Sequence, residues 1–124
     1  IKAFSDIFSE INGMVKLVEE LKERKFKLAM LSNTNTLHIK WAKEKFDFFK
    51  LFDHHIYSHE VHSMKPKPEI YNVAVEKVGC RHNECIFIDD LQENVDGAEQ
   101  VGISGILFKS HNELKTTLNK MNIL

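Results

Sequence analysis

Apolar positions along the chain follow two patterns that predict alternating strands and helices. Short continuous apolar runs predict buried strands, and they lie at residues 27–31, 54–58, 85–89 and 104–108. Apolar residues three and four positions apart predict amphipathic helices, and they include Leu17, Trp41, Val73, Val95 and Leu118. This alternation predicts an α/β fold with a parallel sheet covered by helices on both faces.

Composition narrows the class of protein. The 124 residues contain 43% hydrophobic and 28% charged residues with a formal net charge of −1, which is ordinary for one soluble globular domain. No basic surface for nucleic acid is indicated, and the apolar runs are too short to cross a membrane. The two cysteines, Cys80 and Cys85, favour reduced thiols. We therefore expect a cytoplasmic protein with neither a nucleic-acid nor a membrane partner.

The strand predicted at 85–89 ends in two adjacent acids, Asp89 and Asp90. Neighbouring carboxylates at the edge of a core repel each other unless a cation lies between them. Mg²⁺ suits carboxylate oxygens and keeps some of its waters for a substrate. Taken alone, the pair is as typical of a strand end or a helix cap as of a metal site.

Two further polar clusters follow predicted strands. Ser32 and Asn33 come directly after the strand at 27–31, and Lys65 lies in the loop beyond the strand at 54–58. Ligands of parallel sheets bind at the carboxyl ends of the strands. A hydroxyl with following backbone amides, an ammonium group and a carboxylate pair are together suited to bind phosphate and Mg²⁺.

Three motifs that contain these residues resemble the haloacid dehalogenase superfamily. They are LSNT at 31–34, MKPKPEIY at 64–71 and FIDDLQEN at 87–94. The three are similar to the superfamily's second, third and fourth motifs, in the expected order, and look most like those of phosphatases with a small helical cap, including sugar-phosphate phosphatases. The resemblance implies a Rossmann-like core, Mg²⁺ as cofactor, and hydrolysis of a small phosphorylated metabolite through an aspartyl-phosphate.

The resemblance also implies roles for individual residues. Ser32 and Lys65 would be catalytic, and they would bind the substrate phosphate together with Asn33. Asp90 would be the principal Mg²⁺ ligand. Its neighbours would complete the metal site, with Asp89 in or near the coordination sphere and Asn94 in support.

One family feature is missing from the sequence. The family's nucleophile and its acid/base are two aspartates of an Asp-x-Asp motif on the first strand, and no Asp-x-Asp occurs in the 124 residues. We therefore expect an incomplete portion of a longer enzyme that is inactive as this chain. Residues 1–12 are interpreted as a remnant of the helical cap and its link to the core, and residues 13–124 as the α/β core domain.

Loss of the first strand predicts a gap in the sheet. In the family that strand lies at the centre, between the strand before Ser32 and the strand that ends at Asp89. Both neighbours would then have unpaired edges, and apolar edges of this kind pair with other chains. For a stand-alone chain, we would expect either direct pairing of the two strands or a homo-oligomer that fills the gap.

Other functions are less favoured. A non-catalytic remnant that binds phosphate or a partner chain fits the same residues without the missing aspartates. A response-regulator receiver domain also uses an acidic pair, a hydroxyl and a lysine, but there the acidic pair comes first in the chain. Zinc at His54, His55, His59 and His62 is disfavoured relative to ordinary strand and loop histidines, because the order His-Glu-Val-His is not HExxH.

Overall fold

Five parallel strands form one sheet in the computed structural model, which describes residues 2–4, 11–33 and 50–124. In chain order they are β1 (Lys2–Phe4), β2 (Leu28–Ser32), β3 (His54–Tyr57), β4 (Ile86–Asp89) and β5 (Ser104–Leu107). Their order across the sheet is β3-β2-β1-β4-β5, and every neighbouring pair is parallel. The helices within these residues are α1 (Ile11–Glu23), α2 (Ser58–Val61), α3 (Pro68–Val78), α4 (Gln92–Gln100) and α5 (His111–Lys120), with a 3₁₀ turn at His82–Glu84. The predicted α/β fold with a parallel sheet is confirmed.

The centre of the sheet is occupied, so the prediction of a missing first strand is wrong. β1 lies between β2 and β4, with Phe4 in register with Met30 on one side and Ile88 on the other. The backbone N–H and C=O groups along the inner edges of β2 and β4 need partners, and an extended segment of 3 residues supplies them. The gap that suggested a homo-oligomer is therefore filled by the chain itself.

The predicted division at residue 12 also changes. Residues 2–4 belong to the core sheet and not to a cap remnant. α1 begins at Ile11 and runs across the predicted boundary. Residues 5–10 lie outside the described residues, and so does the helix predicted around Trp41.

Side chains that alternate along the strands build a hydrophobic core on each face of the sheet. On one face, Leu28, Met30 and Ile88 pack with residues of α1 and α5, namely Leu17, Val18, Leu21, Leu114 and Leu118. On the other face, Ala29, Leu31, Ile56 and Phe87 pack with residues of α3 and α4, namely Ile70, Tyr71, Ala74, Val75, Val78 and Ala98. Each large apolar side chain that is fully buried stabilises the fold by roughly 1.5–3 kcal/mol. The sheet thus depends on helices from both faces.

The ends of α3 are set by a proline and a glycine. Pro68 is the first helical residue, where the missing N–H is not needed. Gly79 ends the helix with a φ of 78°, and its N–H donates to the carbonyls of Val75 and Glu76. This left-handed conformation is easy for glycine and costly for other residues. The segment before Pro68, which carries Lys65, therefore leads directly into a helix with a fixed start.

The helices of the described chain are short. The longest, α1, has 13 residues. Crossing a membrane requires about 20 apolar residues in a row, and none of the helices in the described ranges has that length and apolar character.

α4 packs closely against the loop at Pro66 and against β5, because a glycine lies at each contact. A Cβ added to Gly97 would lie 2.7 Å from the carbonyl oxygen of Pro66 and 2.8 Å from its Cβ. A Cβ added to Gly105 of β5 would lie 2.6 Å from Cγ1 of Val95. These distances are too short for carbon contacts, so glycine permits the approach. The approach brings the middle of α4 next to the loop that carries Lys65.

Replacing Gly97 should loosen this packing. We expect Gly97→Ala to lower the free energy of unfolding by about 1–3 kcal/mol, because the new methyl group overlaps the backbone of Pro66. Gln100→Ala is the matched control on the same helix, since Gln100 is exposed and its loss should change that free energy by less than about 0.5 kcal/mol. Urea unfolding followed by circular dichroism measures both variants. A Gly97→Ala protein as stable as Gln100→Ala would show that the close approach is not required.

Candidate functional site

The sequence-predicted site residues lie at the carboxyl edge of the sheet. Ser32 is the last residue of β2 and Asp89 is the last residue of β4, and the two strands run in the same direction. Lys65 reaches this edge from the loop between α2 and α3, one residue before Pro66, to which it is joined by a cis peptide bond. All three residues are buried. The structure thus places the hydroxyl, ammonium and carboxylate groups at one edge of the sheet.

A buried ion pair lies at the centre of the site. Nζ of Lys65 lies 3.2 Å from Oδ2 of Asp89, and the two side chains are only 3% and 1% exposed. The same ammonium donates a hydrogen bond of 3.2 Å to the carbonyl oxygen of Leu31. It also lies 5.7 Å from the centre of the Phe87 ring, within the range of a cation–π contact. The positive charge is therefore held by a carboxylate, a carbonyl and an aromatic face.

The Asp89 carboxylate also organises the start of α4. Its Oδ1 accepts a hydrogen bond of 3.0 Å from the backbone N–H of Leu91, and its Oδ2 accepts one of 3.1 Å from Nδ2 of Asn94. Asn94 is likewise buried. Asp89 and Asn94, both predicted as part of a metal site, are therefore joined by a hydrogen bond that Asn94 donates. A carboxylate with this many donors is well suited to hold β4, α4 and Lys65 together.

Asp90 differs from Asp89 in its environment, because it is exposed. In the described ranges, histidine, cysteine, aspartate and glutamate side chains form no group of three or more that could hold a metal ion. Magnesium is commonly bound through one or two carboxylates, with waters and substrate phosphate as the other ligands. An exposed carboxylate next to a buried, positioned one fits that pattern. The donor set therefore suits a hydrated Mg²⁺ better than a fully protein-bound ion.

The side chain of Asn33 contacts the backbone of Lys65. Nδ2 of Asn33 donates to the carbonyl oxygen of Lys65 over 3.2 Å, and Oδ1 accepts from the backbone N–H of Lys65 over 3.0 Å. The two residues are 32 positions apart in the chain. The end of β2 and the Lys65 loop are therefore joined directly. Of the predicted phosphate-binding residues, Ser32 ends the strand and Asn33 reaches the loop.

Tyr71 is a site residue that the sequence interpretation left without a role. Its hydroxyl donates a hydrogen bond of 2.7 Å to the carbonyl oxygen of Asn94, and its ring meets the Phe87 ring edge to face at 5.3 Å. Burial raises the pKa of Tyr71, and the negative charges of Asp89 and Glu93 raise it further. Tyr71 therefore stays protonated and ties α3 to the start of α4. Its place at the end of the MKPKPEIY motif was the available signal.

His55 of β3 and His59 of α2 take part in a row of rings with Tyr57. The hydroxyl of Tyr57 and Nδ1 of His55 are 2.9 Å apart, and the Tyr57 ring stacks on His59 with centroids 5.9 Å apart. Burial, with a smaller effect from Glu60, raises the pKa of Tyr57 to about 12. Tyr57 is therefore protonated, and its hydroxyl shares a hydrogen bond with His55. This network accounts for the positions of two of the histidines considered as zinc ligands.

A groove lies beside β5, the strand next to β4. It has a volume of about 600 Å³ and lies between the end of β5 and α5. Its described lining includes Leu107, Lys109, Glu113 and Lys120, and none of the predicted site residues. The candidate site is therefore identified by the buried Lys65–Asp89 ion pair and not by the volume of a groove.

Comparisons by sequence point to one family. A family model described as haloacid dehalogenase-like hydrolase matches residues 1–102. A phosphorylated carbohydrates phosphatase from Thermotoga maritima is 27% identical over 105 residues, which are 85% of this chain and 49% of that protein. A glyceraldehyde 3-phosphate phosphatase from Methanothermobacter thermautotrophicus is 29% identical over 93 residues, covering 73% of this chain and 41% of that protein. The chain spans about half the length of the first curated relatives it matches.

Solved structures agree with the fold. A haloacid dehalogenase (HAD) family enzyme from Bacteroides thetaiotaomicron was crystallised as the wild-type protein with magnesium and inorganic phosphate. It is 33% identical to this chain with a TM-score of 0.71, and the match covers 79% of this chain and 52% of that chain. An uncharacterised protein from Corynebacterium glutamicum matches with a TM-score of 0.80 over 98% of this chain and 94% of that chain. Its identity is 18%, so it supports the fold alone.

Removing the Lys65 ammonium should destabilise the protein strongly. We expect Lys65→Met to lower the free energy of unfolding by about 3–5 kcal/mol, because the buried Asp89 carboxylate loses its countercharge. Lys65→Met combined with Asp89→Asn removes both charges and should recover most of this loss. Lys67→Met, at an exposed lysine two residues later, is the matched control. Urea unfolding of these proteins measures the effect, and equal stability of Lys65→Met and Lys67→Met would contradict it.

Removing the Tyr71 hydroxyl should weaken the contact between α3 and α4. We expect Tyr71→Phe to cost about 1–3 kcal/mol near neutral pH, because the buried carbonyl of Asn94 loses its donor. Thr116→Val is the control, since it removes a hydroxyl that donates to a helix carbonyl at an exposed position. Thermal or urea unfolding at pH 7 compares the two. A cost for Tyr71→Phe no larger than that of Thr116→Val would mean that the bond is not important.

The raised pKa of Tyr71 gives this prediction a pH dependence. Above the ordinary value of 10.0, the unfolded chain loses the phenol proton while the folded protein keeps it. The stability that this proton contributes is present below pH 10 and is lost as the pH rises further. Between about pH 9 and pH 11 the wild type should therefore lose more stability than Tyr71→Phe. Parallel losses in the two proteins would contradict the assignment.

Proposed function

Because the chain belongs to the haloacid dehalogenase-like hydrolases, we propose that it forms the core of a Mg²⁺-dependent phosphatase acting on a small phosphorylated metabolite. The observation that carries the proposal is the buried Lys65–Asp89 ion pair beside Ser32 at the carboxyl edge of the sheet. Two relatives, named for phosphorylated carbohydrates and for glyceraldehyde 3-phosphate, favour a phosphorylated sugar or a close derivative as the substrate class.

Ser32 and Lys65 supply the groups that a phosphate needs. The Ser32 hydroxyl would donate a hydrogen bond to a phosphate oxygen, and the Lys65 ammonium would provide a fixed positive charge. Asp89 keeps that ammonium in place before substrate arrives. A preorganised charge needs no rearrangement as negative charge develops during the reaction, and this is the main source of electrostatic catalysis.

Asp90 is the residue that we propose as the Mg²⁺ ligand. It is exposed and follows β4 directly, so it can share the ion with waters and with the substrate phosphate. When bound, the metal would offset negative charge on the phosphoryl group. Asp89 and Asn94 would act by fixing the end of β4 against the start of α4, so that Asp90 projects at a constant position.

The described site contains no counterpart of the family's nucleophile. β1 holds the central position of the sheet, but no Asp-x-Asp sequence occurs in the 124 residues. We therefore propose that these residues bind metal and phosphate but do not by themselves complete hydrolysis through an aspartyl-phosphate. The same observation favours the second candidate function, a non-catalytic domain that binds phosphate.

Binding of inorganic phosphate tests the site directly. In ³¹P NMR titrations we expect the chain to bind phosphate in the presence of Mg²⁺ and more weakly without it. Asp90→Asn should weaken the Mg²⁺-dependent binding about tenfold or more, because the metal loses its carboxylate ligand. Asp96→Asn, at an exposed acid on α4, is the matched control and should bind as the wild type does. Equal affinities with and without Mg²⁺, or equal affinities of the two variants, would contradict the proposal.

Turnover tests the proposed inactivity of these residues. Hydrolysis of p-nitrophenyl phosphate by the chain in the presence of Mg²⁺ should be absent if the nucleophile lies outside these residues. Hydrolysis that Asp90→Asn abolishes, and Asp96→Asn does not, would show that the chain supplies its own nucleophile. That result would overturn the proposed inactivity and exclude a purely binding function.

A further inference from the structure

The side chain of Asn33 forms hydrogen bonds with the protein backbone. Its amide nitrogen donates to the Lys65 carbonyl and its amide oxygen accepts from the Lys65 N–H, over 3.2 Å and 3.0 Å. These are the two hydrogen bonds that a neighbouring strand residue would make with Lys65. Both polar ends of the side chain therefore form hydrogen bonds with the backbone of one residue, Lys65.

This arrangement fixes Lys65 at two points. Its backbone is held by Asn33, and its ammonium donates to the carbonyl oxygen of Leu31, which lies on β2 two residues before Asn33. Asp89, the partner of the ion pair, belongs to a different strand. Without Asn33, the Lys65 ammonium would keep its contacts, but the Lys65 backbone would lose the two hydrogen bonds that fix its position.

We propose that Asn33 is a positioning residue, which holds the Lys65 ammonium at the phosphate site, and that its side-chain amide does not bind the phosphate. This inference rests on the proposed function, in which Lys65 binds phosphate. A phosphate oxygen that approached Oδ1 would be repelled, because both atoms are hydrogen-bond acceptors. Nδ2 already donates one hydrogen to the carbonyl of Lys65, which leaves only its second hydrogen for another acceptor.

The chemistry of the side chain explains why asparagine suits this position. An amide presents one acceptor and one donor group at a fixed spacing, which matches the N–H and C=O of a single residue. An aspartate carboxylate can accept from the Lys65 N–H but has no hydrogen to donate to the Lys65 carbonyl. A serine presents a single oxygen and does not span the two groups.

Chemical labelling tests the positioning without requiring phosphate. Acetic anhydride labels accessible lysines, and Lys67, which is exposed next to the buried Lys65, provides an internal reference. In the full chain, we expect Asn33→Ala to raise the Lys65-to-Lys67 labelling ratio about fivefold or more, because the loop loses two hydrogen bonds. Asn119→Ala, which removes an exposed amide on α5, should leave the ratio unchanged.

A second control separates positioning from general destabilisation. Val18→Ala removes two methyl groups from the core on the opposite face of the sheet and should lower the global stability without touching the Lys65 loop. Its labelling ratio should stay at the wild-type value. A ratio that is unchanged in Asn33→Ala, or that rises equally in Val18→Ala, would overturn the proposal.

Phosphate affinity tests whether Asn33 acts through Lys65. With Mg²⁺ present, we expect Asn33→Ala to weaken binding of inorganic phosphate about tenfold in the wild-type background. In the Lys65→Met/Asp89→Asn background the same change should have less than about a twofold effect, because the ammonium is already gone. An equal loss in both backgrounds would show that Asn33 binds phosphate directly and would overturn the proposal. If the background binds phosphate too weakly to measure, the labelling ratio decides.

The two proposals fail in different ways. A wild-type chain that does not bind phosphate contradicts the proposed function, and the labelling ratio still shows whether Asn33 holds Lys65. A wild-type chain that binds phosphate, with labelling and affinity both unaffected by Asn33→Ala, contradicts only the positioning role.

Discussion

The arrangement of the carboxyl edge depends on one buried ion pair. The Lys65 ammonium and the Asp89 carboxylate lie 3.2 Å apart and are almost completely buried, and burying either charge alone would cost several kcal/mol. Each charge therefore requires the other. Asp89 also accepts hydrogen bonds from Leu91 and Asn94. The ion pair and these bonds together join three segments: the loop before α3, the end of β4 and the start of α4. The loop and α4 meet again at the contact between Pro66 and Gly97, where only glycine fits.

Much of the fold, and the meeting of Ser32, Lys65 and Asp89 at one edge, could be predicted because the signals are local. The apolar runs that became β2 and β4 are continuous along the sequence, and their ends are marked by polar residues, Ser32 and Asp89. Parallel strands place their carboxyl ends at one edge, so residues that are far apart in sequence were expected to meet there. Lys65 was found from its motif, because nothing in the composition of the loop distinguishes it from the exposed Lys67.

The features that sequence patterns did not predict depend on distant partners or on very short segments. β1 has 3 residues, too few to show a strand or helix period, and its place at the centre is set by the open edges of β2 and β4. The hydroxyl of Tyr71 bonds a carbonyl 23 residues away, and the amide of Asn33 bonds a residue 32 positions away. Backbone carbonyls such as that of Leu31 carry no sequence signal at all, although this one binds the ammonium of Lys65.

The shortness of β1 has a consequence for any attempt to supply the family's acidic motif from a separate peptide. The position that such a strand would take is already filled by Lys2–Phe4, which pairs with β2 on one side and β4 on the other. The incoming segment would have to replace those hydrogen bonds, so complementation would be a strand-exchange reaction and not addition to an open cleft. Its rate would depend on how often β1 leaves the sheet, and its yield on whether a longer strand outcompetes one that is tethered to the same chain.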